Sequence, residues 1–233
     1  MLNFDPWNQM LHQYVNPQGR VDYRTWQQES RHQLDDWLKS ITTIAPQSLP
    51  DRDHQLAFWM NLYNALVIQQ VLAQYPIASI QRPILGVPNW IAFFWFFWHP
   101  VCGLGDRRYS LNDIEHRVLR PLGEPRIHFA LVCAAIGCPL LRNQAYFPET
   151  VQAQLEADAD RFINNPEKVR YDAVSQTLYC SKIFKWYRQD FLAVADSIPK
   201  YIQPYRASPD PFPDPLSVKY LDYDWGLNQR MSS

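Results

Sequence analysis

One histidine and two cysteines lie close together in the segment from His128 to Cys138. A thiol beside an imidazole is a candidate nucleophile, because the imidazole can accept the thiol proton. If the chain stays extended after His128, Cys133 lies about 16 Å away and faces the opposite side. Gly137 and the small residues before it permit a turn that folds Cys138 back beside His128. Cys138 and Cys133 are therefore both candidate nucleophiles, and His128 is the candidate general base.

Other interpretations of the same three residues stay open. They supply three potential zinc ligands, although no fourth ligand is obvious and no CxxC pair is present. Cys133 and Cys138 are also spaced as a redox pair, and each can pack as a small apolar side chain. The chain has four cysteines, the other two being Cys102 and Cys180, and they form no framework typical of a small secreted protein. We therefore expect free thiols and no bound metal.

Glu115 is an acidic residue on the apolar side of a predicted helix. At about 100° per residue, it falls inside the apolar stripe that runs from Ile114 through Leu111 to Leu119. A carboxylate in an apolar stripe needs a partner. That partner is either structural, such as an arginine, or functional. A carboxylate behind His128 would fix the imidazole tautomer and stabilise the imidazolium, so Glu115 is the third candidate catalytic residue.

A buried helix is predicted over residues 56–72, which are apolar on almost every side. Asn61 and Asn64 are among its few polar residues, and their spacing of three places them on one face. Buried asparagines must find hydrogen-bond partners. They either tie neighbouring loops together in the core or support a catalytic group or a substrate.

The remaining segments combine short helices with hairpins. Residues 126–132 read as a strand, and hairpins are expected over residues 95–109 and 168–180. The sequence shows no alternation of strands and helices typical of βαβ units, and it contains no GxGxxG or P-loop motif for nucleotide binding. The pattern predicts an α+β fold in which helices pack on a small, mostly antiparallel sheet, within a single domain over residues 1–233.

An aromatic run over residues 90–98 contains the sequence IAFFWFFW. It is shorter than the roughly 20 residues of a membrane-spanning helix. Its rings cannot all face one way, because neighbours alternate on a strand and surround the axis of a helix. We expect at least two rings to line a cleft near His128 or to form an exposed patch for a protein or a membrane surface, with Trp95 as a binding residue. The alternative is burial in the core.

Composition excludes several classes of protein. Hydrophobic residues make up 47% of the chain and charged residues 19%, which excludes an ordinary disordered protein. The net charge of −1 leaves no global basic footprint for nucleic acid. The first residues lack the basic and apolar regions of a signal peptide. We therefore expect a cytoplasmic protein with no nucleic-acid partner and no tightly bound cofactor.

Five motifs in order resemble the domain-of-unknown-function 547 family, and the resemblance spans residues 4–228. Gly137 and Leu140 differ from the family pattern, which usually has Ser and a second Pro there. The motifs are Trp59-Met-Asn61-Leu-Tyr63-Asn64-Ala-Leu66, Ser110-Leu-Asn-Asp-Ile-Glu115-His116 with Leu119-Arg120, Arg126-Ile-His-Phe-Ala-Leu-Val-Cys133 through Cys138-Pro139, Trp186-Tyr187 with Asp190-Phe191, and Tyr223-Asp-Trp225-Gly-Leu-Asn228.

The resemblance implies a papain-like or transglutaminase-like cysteine hydrolase with rearranged topology. Glu115, His128 and one of Cys133 or Cys138 match the positions of its Glu–His–Cys triad. The expected function is therefore that of a cysteine-dependent hydrolase, such as a thiol protease, or an acyl transferase. Its substrate would be a peptide or a small molecule with an amide, isopeptide or thioester bond. The alternative is a non-catalytic module that binds a protein or a membrane surface through the aromatic run.

Overall fold

The computed structural model describes residues 2–81, 90–208 and 210–230. Within these ranges the helices, in chain order, are α1 (Asp5–Tyr14), α2 (Tyr23–Glu29), α3 (Arg31–Ile41), α4 (Arg52–Gln74), α5 (Trp90–Trp98), α6 (Leu111–Asp113), α7 (Val151–Ile163), α8 (Ile183–Trp186), α9 (Arg188–Leu192) and α10 (Ile198–Ile202). The strands are β1 (Cys102–Leu104), β2 (Arg107–Tyr109), β3 (Val169–Asp172), β4 (Thr177–Cys180) and β5 (Ser217–Tyr220).

Helix α4 lies at the centre of the larger apolar core. It begins after Asp51, whose side chain accepts a hydrogen bond from the His54 amide and so satisfies one free N–H of the first turn. Helices α2, α3 and α7 pack against it. By length and composition α4 could cross a membrane, but 89% of its apolar window is buried inside the structure. The predicted buried helix over residues 56–72 is confirmed.

A second apolar cluster lies beside the three-stranded sheet. It is rich in aromatic rings, such as those of Phe184 and Phe191 with centroids 5.0 Å apart. A 3-10 turn over Pro125–Phe129 joins the two clusters, because Ile127 belongs to the first and Phe129 to the second. His128, which lies between these two residues, is therefore held at the boundary of both cores.

The strands form two small sheets. Strands β1 and β2 make an antiparallel hairpin, and β3, β4 and β5 make a sheet in that order. Strand β4 pairs antiparallel with β3 and parallel with β5. Helices combined with two small sheets confirm the α+β class. The papain-like topology and the single domain stay predictions.

Two local predictions are wrong. Residues 126–129 belong to the 3-10 turn rather than to a strand, since Pro125 fixes the first position and the Glu124 side chain accepts the Arg126 amide. The aromatic residues before His99 form α5 rather than a strand of the hairpin, because a short run that is apolar throughout carries no period to separate helix from strand. The hairpin itself is confirmed from Cys102 onward.

The segment of residues 224–229 joins distant parts of the chain. The Gly137 amide donates to the Asp224 carbonyl over 2.7 Å, which fixes the backbone just before Cys138. The β-bridges of this segment pair Gly226 with Ser79, Leu227 with Ala135, and Gln229 with Val21. The loop that carries the cysteines is therefore positioned by this distant segment, which is itself paired with Val21.

Candidate active site

A cavity of about 370 Å³ opens between α4, α5, α8 and the turns that follow α6 and His128. All four predicted catalytic residues line it, and aromatic rings form much of its wall. The lining residues with reactive or titratable groups are Tyr63, Glu115, His116, His128, Cys133, Cys138, Tyr187 and Tyr223. The large apolar lining residues include Phe93, Phe97, Trp98, Trp186 and Trp225.

Buried His128 is held by a hydrogen bond to Asp190, whose side chain is partly buried. Its Nε2 lies 2.7 Å from Asp190 Oδ2, and its ring stacks on Tyr187 with centroids 3.7 Å apart. Arg120 donates from Nε and Nη2 to the two oxygens of Asp190, each over 2.7 Å. Although burial opposes it, hydrogen bonds from His128 and Arg120 hold the pKa of Asp190 well below its usual value. Asp190 is therefore an ionised acceptor.

This pair fixes the tautomer of His128. An ionised carboxylate only accepts, so Nε2 carries the proton and Nδ1 keeps its lone pair. Burial lowers the pKa of His128 below its ordinary value, and this outweighs the raising effect of Asp190. The ring is therefore neutral near pH 7, with Nδ1 available as a base.

The expected role of Glu115 as the partner of His128 is corrected by this geometry, because Asp190 takes that position. Asp190 lies on α9, which Phe191 anchors against Phe129 with ring centroids 5.6 Å apart. Sequence reasoning missed Asp190, although it belongs to the Trp186-Tyr187…Asp190-Phe191 motif that supported the family resemblance.

Glu115 instead faces a tyrosine. It lies in a π-helical turn over Ile114–Leu119, a rare conformation that often marks functional positions. Its Oε2 accepts a hydrogen bond from Tyr63 over 3.1 Å. Its Oε1 is buried and accepts none from the described residues.

The sulfurs of Cys133 and Cys138 are bonded to each other. The expectation of free thiols is therefore wrong for this pair and right for Cys102 and Cys180. The chain turns sharply at Ala134, which has a positive φ of 62°, and this brings the two sulfurs together. A cysteine binds zinc as a thiolate, so two cysteines joined in a disulfide cannot serve as zinc ligands. Among the described residues no group of three or more side chains is arranged to hold a metal.

Two donors point at the sulfur of Cys138. They are the Cys133 amide, at 2.8 Å, and the Tyr223 hydroxyl, at 3.1 Å. Gly137 permits this approach, since a Cβ there would lie 2.8 Å from the Tyr223 ring. Hydrogen-bond donors favour the charged form of an acidic group. The Tyr223 hydroxyl also lies 3.3 Å from Cys133 Sγ, so of these two donors it is the Cys133 amide that distinguishes the sulfurs, and it favours Cys138 as the thiolate.

Asn61 and Asn64 lie outside the cavity and tie backbone segments to α4. Asn64 donates to the Ala130 carbonyl over 3.0 Å and accepts from the Val132 amide over 3.1 Å. Asn61 makes a similar pair of hydrogen bonds with the backbone of Tyr146. Asn64 therefore supports the segment between His128 and the cysteines, whereas Asn61 supports a loop elsewhere in the core.

Helix α5 has one face on the cavity and one face on the solvent. Phe93 and Phe97 line the cavity together with Trp98. On the other face the exposed fractions are 82% for Ile91, 51% for Phe94 and 67% for Trp95, and Trp98 lies at the rim of the cavity with half of its surface exposed. The prediction that at least two rings line a cleft near His128 or lie exposed is confirmed. Trp95 stacks on His99 and does not line the cavity.

The family model described as "Protein of unknown function, DUF547" matches residues 46–163. No curated protein and no solved structure matches the chain. The matched range contains the His128 turn and both cavity cysteines, and Asp190 lies beyond it. Because the match covers half of its length, the chain belongs to the DUF547 family.

Proposed function

We propose that this protein is a cysteine-dependent acyl-transfer enzyme, either a hydrolase or an acyl transferase, acting on an amide, isopeptide or thioester bond. The observation that carries the proposal is the Arg120–Asp190–His128 chain of hydrogen bonds, which ends at a cavity that also contains two sulfurs. A neutral imidazole oriented by an ionised carboxylate is the arrangement that activates a thiol nucleophile.

The disulfide requires reduction before this chemistry can begin. A dithiol reduces the disulfide to the free thiols of Cys133 and Cys138, and the dithiol is itself oxidised to a disulfide. We assign Cys138 as the nucleophile because the Cys133 amide donates to its sulfur and so stabilises its charged form, whereas the Tyr223 hydroxyl lies within reach of both sulfurs. In the disulfide-bonded state no hydrogen bond joins His128 to either sulfur within the described residues. The Cys138 thiol reaches Nδ1 only after the S–S bond is broken.

In the proposed reaction His128 transfers protons through Nδ1, while its Nε2 stays hydrogen-bonded to Asp190. Nδ1 takes the proton of the Cys138 thiol, and the thiolate attacks the carbonyl carbon of the substrate. The imidazolium, stabilised by Asp190, then gives its proton to the departing amine or thiol, and an acyl-cysteine thioester remains. Water or an acceptor nucleophile, deprotonated by Nδ1, attacks this thioester and regenerates the thiol.

The test of this proposal is selective alkylation of the reduced protein. After treatment with a dithiol at neutral pH, we expect iodoacetamide to modify Cys138 at least about 100-fold faster than Cys102 or Cys180, since the thiolate is the reactive form. Burial raises the pKa of both Cys102 and Cys180 to about 12. Peptide mass spectrometry at timed intervals gives the four rates. Equally slow modification of all four cysteines would contradict the proposal.

A second candidate function is favoured by the exposed face of α5. Ile91, Phe94, Trp95 and Trp98 are spaced as one side of a helix and are all half or more exposed. Apolar helix faces of this kind bind partners or lie in the interface of a membrane. The chain would then act as a binding module, with or without catalysis.

Vesicle binding tests this second candidate independently of catalysis. The protein is incubated with phosphatidylcholine vesicles, and bound protein is measured by co-sedimentation. We expect Trp95→Ser to weaken binding about tenfold, because it removes a large ring from the apolar face. Val174→Ser is the matched control, because Val174 is 97% exposed on the β3–β4 turn and should not change binding. If the unsubstituted protein does not sediment with vesicles, the membrane-surface function is excluded.

A further inference from the structure

An aromatic strip, formed by the rings of Tyr223, Trp225, Phe93 and Phe97, leads from the cysteine sulfurs to helix α5. It begins at Tyr223, whose hydroxyl lies 3.1 Å from Cys138 Sγ. The Tyr223 and Trp225 rings have centroids 4.5 Å apart, and the Trp225 and Phe93 rings have centroids 5.2 Å apart. The Phe97 ring continues the strip at 4.9 Å from that of Phe93. All four rings line the cavity, so a connected apolar surface starts at the candidate nucleophile.

The aromatic strip is accessible to a molecule in the cavity. Tyr223, Trp225 and Phe93 are each partly exposed, and Phe97 is buried at the far end. Trp186 lies beside the strip, with its ring 4.8 Å from that of Tyr223, and it is 46% exposed. Phe93 and Phe97 are four residues apart on α5, so they share one face of the helix. A ligand that covers these rings therefore removes apolar surface from water, which favours binding.

The charges around the cavity argue against a charged acyl group. The described lining includes no lysine or arginine, so a carboxylate or phosphate would find no such partner there. Glu115 is only 7% exposed, its Oε1 is buried, and its Oε2 accepts a hydrogen bond from Tyr63. Its charge is therefore held within the wall and out of reach of a cation in the cavity. Since an unpaired charge loses its hydration at a high cost, the aromatic strip favours a neutral chain.

We infer that the acyl group of the substrate is a neutral alkyl chain of several carbons, with its carbonyl at Cys138 and its methylenes along the aromatic strip towards α5. The inference rests on the proposed function, because it names the acyl part of that reaction. The cavity of about 370 Å³ is within the usual size range of small-molecule sites and leaves room for more than an acetyl group. Each methylene that the strip covers adds to the hydrophobic free energy of binding.

The first measurement is the dependence of the acylation rate on chain length. The reduced protein reacts with the p-nitrophenyl esters of acetic, butyric, hexanoic and octanoic acid, and released p-nitrophenol gives kcat/KM for each ester. We expect kcat/KM to rise about tenfold for every two methylenes added, until the chain fills the cavity.

Two neighbouring residues of α5 provide the variants. Phe93→Ser removes a ring from the aromatic strip, and it should lower kcat/KM for the octanoate ester about tenfold or more while the acetate value changes by less than about threefold. Phe94→Ser is the matched control, because Phe94 is 51% exposed and does not line the cavity. It should keep the full rise with chain length.

The second measurement is binding without catalysis. Butanol and octanol are titrated into the disulfide-bonded protein by isothermal titration calorimetry, and we expect octanol to bind about 100-fold more tightly. Equal affinities in the unsubstituted protein would overturn the inference, and this comparison does not depend on whether Phe93→Ser folds. A preference for octanol that Phe94→Ser loses and Phe93→Ser keeps would place the alcohol on the outer face of α5, which would also overturn it.

The outcomes separate the inference from the proposed function. If octanol is preferred but the reduced protein releases no p-nitrophenol from any ester, the acyl-transfer proposal fails and the alkyl-binding site stands. If the esters acylate Cys138 but kcat/KM does not rise with chain length, the proposed function stands and the inference fails.

Discussion

Replacing Cys138 with serine is expected to slow acyl-enzyme formation by about 10³-fold or more, because the thiol is the group that forms the new bond. Cys133→Ser is expected to leave the rate nearly unchanged and to remove the requirement for a dithiol, since no disulfide can form. The measurement is the burst of p-nitrophenol released from p-nitrophenyl acetate, recorded with and without dithiothreitol. The unsubstituted protein should show the burst only when reduced.

Cys102→Ser is the matched control, because Cys102 is a free cysteine outside the cavity. It should keep both the burst and its dependence on dithiothreitol. A full burst from Cys138→Ser would remove this residue as the nucleophile. A burst of equal size from the disulfide-bonded and the reduced protein would show that the pair does not control activity.

Asp190→Asn is expected to lower the rate of the same burst by about 10²- to 10⁴-fold. The amide cannot stabilise an imidazolium, and its NH₂ group can donate to Nε2, which moves the proton of His128 to Nδ1 and removes the base. Glu115→Gln should change the burst with this neutral ester by less than about tenfold, because Asp190 rather than Glu115 contacts His128.

Asp196→Asn controls for the loss of a carboxylate in the same region and should leave the burst unchanged, since among the described residues Asp196 forms an ion pair only with exposed Lys200. Thermal unfolding of each variant separates a catalytic loss from a folding defect. The opposite result would be a loss of about 10²- to 10⁴-fold in Glu115→Gln and no loss in Asp190→Asn. It would show that Glu115, and not Asp190, orients His128.

The local part of the site could be predicted from the sequence. His128, Cys133 and Cys138 are close along the chain, so a turn near Gly137 suffices to place them on one cavity. Glu115 was identified because a carboxylate in an apolar stripe needs a polar environment, and the structure supplies Tyr63. These inferences depend on short spacings and on helical periodicity, which a sequence shows directly.

The partner of His128 could not be derived in this way. Asp190 lies 62 residues further along, and only tertiary packing of α9 brings the two together. The strand predicted over residues 126–132 was wrong because Pro125 and the Glu124 cap outweigh the preference of apolar residues for a strand. The bond between Cys133 and Cys138 likewise depends on the positive φ of Ala134, which a non-glycine residue seldom adopts.

The ties of residues 224–229 to the rest of the chain determine when the site can assemble during synthesis. Asn228 accepts a hydrogen bond from Tyr23 across 205 residues of sequence, so this contact forms only after Asn228 has been made. Tyr223, which donates to Cys138, leaves the ribosome just before it. Contacts of such long range close large loops and form late in folding. Tyr223 is made 85 residues after Cys138, so a nascent chain carries His128 and both cysteines over that interval without the hydroxyl that contacts Cys138.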